Sequence, residues 1–281
     1  MKLLSFEDLP SLPKLKLAVI GHVEWISFLS VDKFPQEGVI SHGKMYLEEP
    51  AGGGAVAAVK ISRLIGAPVH FFTALGNDSI GKKSFKRLTE LGLEVSVAWR
   101  DRPTRTGISM IDSKGERAIT VIGDRLQPSC NDQLPWNDLT NYDGAFITAV
   151  DSDALNHCRG PKVMVASPRL GTNKFKEKNI KLDALIGSAL DPYERMEFQK
   201  IYPTPKIRIA TKGSLGGEVW PGGRFDAAEL DLPVVDSYGC GDTFAAAVTT
   251  GLSAGWSTQQ AISLGAQCGA QCATHLGPYE D

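Results

Sequence analysis

Short apolar runs that stop at a glycine alternate, over most of this chain, with stretches of helical periodicity. LKLAVI (15–20) stops at Gly21, and VHFFTAL (69–75) follows GAVAAVKISRLI (54–65), which ends at Gly66. SIGKKSFKRLTELG (79–92) is the next helical stretch. Runs this short read as buried strands, and the apolar spacing between them reads as amphipathic helix. A β-α-β-α order forces parallel strands with helices on both faces. The rhythm returns with GAFITAV (144–150), KVMVAS (162–167), DALIGSA (183–189) and KIRIATKG (206–213). Helices over 242–254 and about 257–275 close it. Two stretches break the rhythm: VISHGKMYLEE (39–49) and TGISMIDSKGERAITVIG (106–123) read as antiparallel β, the second turning at D-S-K-G. The expectation is a single α/β domain over 1–281, a doubly wound, mainly parallel sheet sandwiched by helices. Segments at about 34–50 and 96–123 would form a small β-sheet lid.

Composition excludes several partners. The formal charge of −2 lacks the basic excess of a nucleic-acid or membrane surface. No apolar run approaches the roughly 20 residues of a membrane helix. The start, MKLLSFEDLPSLPKLK, has prolines and acids where a signal peptide needs an unbroken apolar core. Cys130, Cys158, Cys240, Cys268 and Cys272 form neither a CxxC pair nor a His/Cys cluster, which argues against zinc. The expectation is a reduced, cytoplasmic setting.

VVDSYGCGDTFAAAV (234–248) carries the chemistry. Glycines between a strand-like and a helix-like run let the chain turn sharply and bring its amides close to a ligand. Free N–H groups at a helix start converge, carry partial positive charge and bind anions, phosphate above all. Asp242 stands in the first turn of that helix. It could accept a proton from an attacking hydroxyl while the amides hold a transferring phosphoryl group; it could equally serve as a helix cap. No GK[ST] follows, so this is not a Walker loop, and GHVEW after the first strand lacks the dinucleotide fingerprint.

Asp236-Ser-Tyr-Gly-Cys-Gly-Asp242 resembles the D-T-x-G-A-G-D signature of the ribokinase, or PfkB-like, carbohydrate kinases. Further segments resemble family landmarks in order: GHVEWISFLSVDKFP (21–35), EPAGGGAVAAVKISRLIG (49–66), ALGNDSIGKKSFKRLTELGLEV (74–95), PTRTGISMIDSKGERAI (103–119) and TKGSLGG (211–217). The resemblance implies ATP-dependent phosphorylation of a hydroxyl on a sugar or polyol. Asp242 would be the base, and the amides of Gly239, Cys240 and Gly241 the anion hole. Thr211, Lys212, Gly213 and Gly216 would contact ATP, and Gly52, Gly53 and Gly54 would let backbone approach the acceptor. Mg²⁺ would travel with the ATP phosphates, and the resemblance leaves a monovalent cation open. The family's N-x-x-E is matched by Ser188 at the nucleotide and Asp191 at the metal; Asp191, ahead of Pro192, also reads as a helix cap.

The acceptor site departs from the family pattern. Ile26 stands where an aspartate commonly grips sugar hydroxyls, and Val56 or Ala57 where an asparagine touches substrate. Glu24, two residues before Ile26 and on the same side of a strand, could take over hydroxyl binding, or be a solvated edge residue. Arg105, in P-T-R-T, could hold a substrate phosphate or carboxylate, or be a surface charge. Arg169 matches a family arginine that could bind acceptor or form a structural ion pair. Two other functions fit these residues: a nucleoside kinase, with Trp25, Met45 or Tyr46 against a base, and a kinase-like binding protein with weakened catalysis. The lid's apolar sheet face invites a homodimer.

Overall fold

The computed structural model describes residues 1–195, 201–230 and 232–280. Along the chain run β1 (Leu17–Ile20), β2 (Glu24–Val31), β3 (Gly43–Ala51), α1 (Gly53–Ile65), β4 (His70–Gly76), α2 (Ser79–Glu90), β5 (Glu94–Arg100), β6 (Thr106–Ile111) and β7 (Arg117–Ile122). There follow β8 (Gly144–Ile147), β9 (Val163–Ala166), α3 (Thr172–Glu177), β10 (Ala184–Ser188), β11 (Ile207–Thr211), β12 (Gly217–Trp220), β13 (Gly223–Phe225), α4 (Cys240–Ser253) and α5 (Thr258–Cys272). The large sheet has the order β13-β12-β11-β10-β9-β8-β1-β4-β5. Its strands from β5 to β11 pair in parallel, and β12 and β13 extend one edge antiparallel.

β1 shows why the sheet is covered on both faces. All four of its residues are buried. Leu17 and Val19 pack into the core with α1, α4 and α5 residues such as Ala57, Phe244 and Ile262. Ala18 and Ile20 face the other layer, with Trp136, Leu139 and Phe175. A strand buried on both faces needs a continuous apolar run, as LAVI provides. The second layer is thinner than the α/β rhythm suggests. The β8–β9 connection holds only a 3₁₀ turn, Ala154–Arg159, and α3 has six residues.

Strand order reverses at β1, between β4 and β8. Such a switch point opens a crevice beyond the carboxyl ends of the strands. The chain enters it directly from β1, through Gly21, His22 and Val23, before starting β2.

The lid sheet has the order β3-β2-β6-β7. β2–β3 and β6–β7 are antiparallel, but β2–β6 is parallel, unlike the purely antiparallel expectation. The lid starts upstream of residue 34, because β2 is one of its two central strands; β5 belongs to the large sheet, so the later segment enters the lid only at β6. EWISFLSV is apolar enough to suit either sheet, which is why its sequence does not mark the boundary. Ile26 and Phe28 at the lid root are fully buried and cluster with Ala51, Val56 and Tyr238. The Phe28 and Tyr238 rings meet edge to face, with centroids 4.9 Å apart. Phe28→Ala is expected to destabilise the protein by about 3–5 kcal/mol, read as a lower midpoint in urea unfolding.

Candidate active site

Asp242 sits in the first turn of α4, behind Gly239, whose left-handed φ of 76° only glycine adopts without strain. No side chain caps this helix start. The amides of Gly241 and Asp242 have no acceptor among the described residues, as expected for first-turn N–H groups. Gly241 is exposed, and a Cβ there would meet nothing within 4 Å. The helix mouth is therefore open in front of its amides.

The Asp242 carboxyl is pushed up to about 7, first by burial and then by the Glu194 carboxylate, against the opposing pull of Arg169 and Arg117. Part of its surface remains open to solvent. Its neighbour is the glycine loop: a Cβ on Gly53 would lie 2.7 Å from Asp242 Oδ1. Glycine at 53 is thus a condition for a carboxylate at 242.

Two polar ties hold these loops in register. The Gly52 amide donates to the buried Tyr238 hydroxyl at 3.1 Å. The buried Asp236 carboxylate accepts from the amides of Tyr238 (2.8 Å) and Gly277 (3.0 Å). The segment after α5 is drawn in further, because Tyr279 donates its hydroxyl to the Pro50 carbonyl at 2.6 Å.

At the lid side, Glu24 is buried rather than a solvated edge residue. Its Oε1 lies 3.0 Å from Arg105 Nη1 and 3.5 Å from His22 Nε2. Burial raises the Glu24 pKa, but His22, Arg105 and Arg125 together hold it below the ordinary carboxylate value. Burial drives His22 the other way, toward the neutral ring. Trp25 is buried with Lys83 Nζ 4.3 Å from its ring centroid, whereas Met45 and Tyr46 are exposed on the lid.

Toward the β10–β11 edge of the crevice, Thr211 ends β11 and donates to the Gly187 carbonyl at 3.4 Å. The Lys212 amide donates to the Gly216 carbonyl at 2.7 Å, closing a turn through Gly213. Lys212 Nζ pairs with Glu218. The Ser188 hydroxyl accepts from the Leu190 and Asp191 amides, a local turn rather than an outward contact. Asp191 and Glu194 both pair with Arg169, while Glu194 also accepts from the Ser188 amide at 2.8 Å. Of the carboxylates that act on Asp242, Glu194 has the larger effect and Glu24 the smaller. The sequence reading passed over Glu194 because N-x-x-E spacing leads to Asp191, three residues earlier. Arg117 and Arg125 were also passed over; Arg117 lies in the 103–119 landmark but no role was attached to it, and Arg125 lies outside the quoted landmarks. Among the described residues no group of three His, Cys, Asp or Glu could hold a metal ion. Asp191 and Glu194, both paired with Arg169, are the carboxylates that could supply oxygen to an ion carried by phosphates.

A family model, pfkB family carbohydrate kinase, matches residues 14–156 and 205–281. The chain belongs to the pfkB family of carbohydrate kinases. It is 22% identical over 287 residues to a ribokinase of Arabidopsis thaliana, covering 91% of this chain and 75% of that one. It is 24% identical over 277 residues to an ATP-dependent ribose-1-phosphate kinase of Halopiger xanaduensis, covering 92% and 91%. Among solved structures, a microbiome-derived acarbose kinase superposes with a TM-score of 0.76 at 18% identity, over 96% of each chain.

Two outcomes are expected from this geometry. Were Asp242 to serve as a base, its pKa of about 7 would make kcat/KM fall as the pH drops through that value, measured as ADP release against pH. Ionised Asp242 also opposes folding, because its folded pKa lies above the ordinary 3.8. That destabilisation grows as the pH rises from the unfolded to the folded value. The Tm advantage of Asp242→Asn is thus expected to widen from pH 4 to 7 and then level off.

Proposed function

We propose that this chain transfers the γ-phosphoryl group of ATP to a hydroxyl of a sugar or sugar-like acceptor, with Asp242 as general base. The observation that carries this reading is a carboxyl poised near neutrality at an uncapped helix start, facing a glycine loop. The acceptor hydroxyl would lie over Gly52–Gly54 and give its proton to Asp242. The amides of Gly239, Cys240 and Gly241 would hold the transferring group, with positioning and charge neutralisation doing most of the catalysis. ATP would lie along Ser188 and the Thr211–Gly216 turn, where Leu190 and Leu215 expose apolar side chains at 60% and 69%. Mg²⁺ bound to the ATP phosphates would neutralise their charge and find oxygen ligands in Glu194 and Asp191. A monovalent cation is tested simply by exchanging K⁺ for a bulky organic cation in the assay.

The acceptor class is open on the comparisons alone, since one relative is named for ribose and another for a ribose phosphate. A nucleoside acceptor has less support, because the Trp25 ring is buried and already covered by Lys83. A binding protein without turnover would not need a raised carboxyl at the helix mouth. β7 exposes Ile119 and Val121 on one side of the lid and Ile122, with Ile108 of β6, on the other; a second copy would pair through the Ile119–Val121 side. Sedimentation equilibrium reads this directly, with Ile119→Glu expected to shift a dimer toward monomer.

The test of function is ADP release over a panel of sugars, sugar phosphates and nucleosides. Asp242→Asn is expected to lower kcat by about 10²–10⁴. Equal turnover in the variant would remove Asp242 from the chemistry.

A further inference from the structure

Two free cysteines meet where the start of α4 leans on the end of α5. Cys240 is the first residue of α4 and Cys272 the last of α5. The backbones approach closely because α5 has glycine at 269: a Cβ there would lie 3.2 Å from the Cys240 carbonyl oxygen. Less than one turn further along α5, the Cys272 thiol donates to the carbonyl of Tyr238 at 3.3 Å, two residues before Cys240. The Cys240 and Cys272 thiols also hydrogen-bond each other. The other cysteines stand apart. Cys158 is buried in the second layer, and burial pushes its thiol up to about 12. Cys268, one turn before Cys272, packs with Ala247 and Leu264. Cys130 is half-buried in the β7–β8 connection.

Cys272 also lines a cavity. About 160 Å³ of space lies between α1, the start of α4 and the segment after α5, walled by Lys60, Arg63, Thr243, Cys272, His275 and Glu280. Arg63 and Glu280 are exposed at its rim, so a small solute can reach a thiol that is itself buried. Cations around a thiol favour the thiolate, which is the reactive form. The hydrogen bond from Cys240 holds Cys272 below the ordinary thiol value, against burial, and Thr243 and Lys60 act the same way. The same bond, with burial, raises Cys240. One sulfur is thus prepared to attack an oxidant and its neighbour to resolve the product. The space admits a small hydroperoxide and is too small for a peptide disulfide.

We propose that Cys272 and Cys240 are a modification site for small hydroperoxides, at which the two thiols become a disulfide between α4 and α5. The Cys272 sulfur attacks one peroxide oxygen and the O–O bond breaks. The other oxygen leaves as water with the Cys272 proton, and Cys272 becomes a sulfenic acid. The Cys240 sulfur then attacks the sulfenic sulfur, the S–O bond breaks, and the hydroxyl leaves as a second water with the Cys240 proton. Each sulfur has lost one electron, and the peroxide has gained two. The bond draws the first residue of α4 toward α5. It thereby moves the Cys240 and Gly241 amides that the kinase reading assigns to the transferring phosphoryl group, so the oxidised form loses turnover. That consequence rests on the kinase reading; the disulfide itself does not.

The test exposes the whole protein to hydrogen peroxide, blocks the remaining thiols by alkylation and maps the peptides without reduction. The peptides holding Cys240 and Cys272 are expected to be linked, and dithiothreitol to separate them. ADP release is expected to fall by about tenfold or more on oxidation and to return with dithiothreitol. Cys272→Ser is expected to keep its basal turnover, to form no link and to stay active in peroxide. Cys130→Ser is expected to lose activity as the unmodified protein does. Oxidation that leaves Cys240 and Cys272 unlinked overturns the site. Equal inactivation of Cys272→Ser, or full turnover by the linked form, overturns its effect on the helix mouth. Should no acceptor exceed the Asp242→Asn blank, the kinase reading falls, and the peptide map alone decides the site: a reversible Cys240–Cys272 link sustains it, and its absence ends it.

Discussion

The hydrogen bond from the Gly52 amide to the buried Tyr238 hydroxyl joins two loops that are 186 residues apart in sequence. One loop starts α1, and the other starts the helix that carries Asp242. With the loops fixed, Gly53 and the Asp242 carboxyl sit closer than any side chain at 53 would permit. The remaining features of the site follow from that approach. The carboxyl is partly shut off from water, its proton is held to near neutral pH, and the open helix mouth stays beside it.

A carboxyl of this kind stores a conflict. The proposed chemistry needs its ionised form, yet burial and Glu194 oppose it. Arg169 and Arg117 favour the ionised form, and Arg169 is itself bound to Asp191 and Glu194. The proton affinity of Asp242 therefore depends on how the Arg169 ion pairs are arranged. Stability sacrificed at such a carboxyl is a common feature of catalytic sites.

The large sheet was legible because its strands are buried on both faces, and double burial writes an unbroken apolar run such as LAVI or GAFI. The helix start at Asp242 was legible because glycines end a strand-like run just before a run of small apolar residues suited to helix. The lid boundary was not, since β2 has the apolar content of a core strand although it pairs with β3 and β6. The last two helices were legible, but the short crossovers between β8 and β10 were not, because the rhythm of strands implies crossovers without their length. Glu194 escaped because its role depends on how the chain turns after Ser188, and Arg125 because pairing is a property of space rather than of spacing. Glu24 could be singled out in sequence, but only its neighbours His22 and Arg105 show that it is buried and ion-paired.

The ties from Asp236 to Gly277 and from Tyr279 to Pro50 bring the segment after α5 into contact with the frame of the crevice. During synthesis, the strands and both glycine loops emerge from the ribosome well before this segment does. A nascent chain that stops short of residue 277 would hold every motif of the site and still lack the clasp that sets them against one another. Competence would then arrive late and abruptly, after the whole of α5 has left the exit tunnel, and premature ATP use by half-made protein would be excluded by construction.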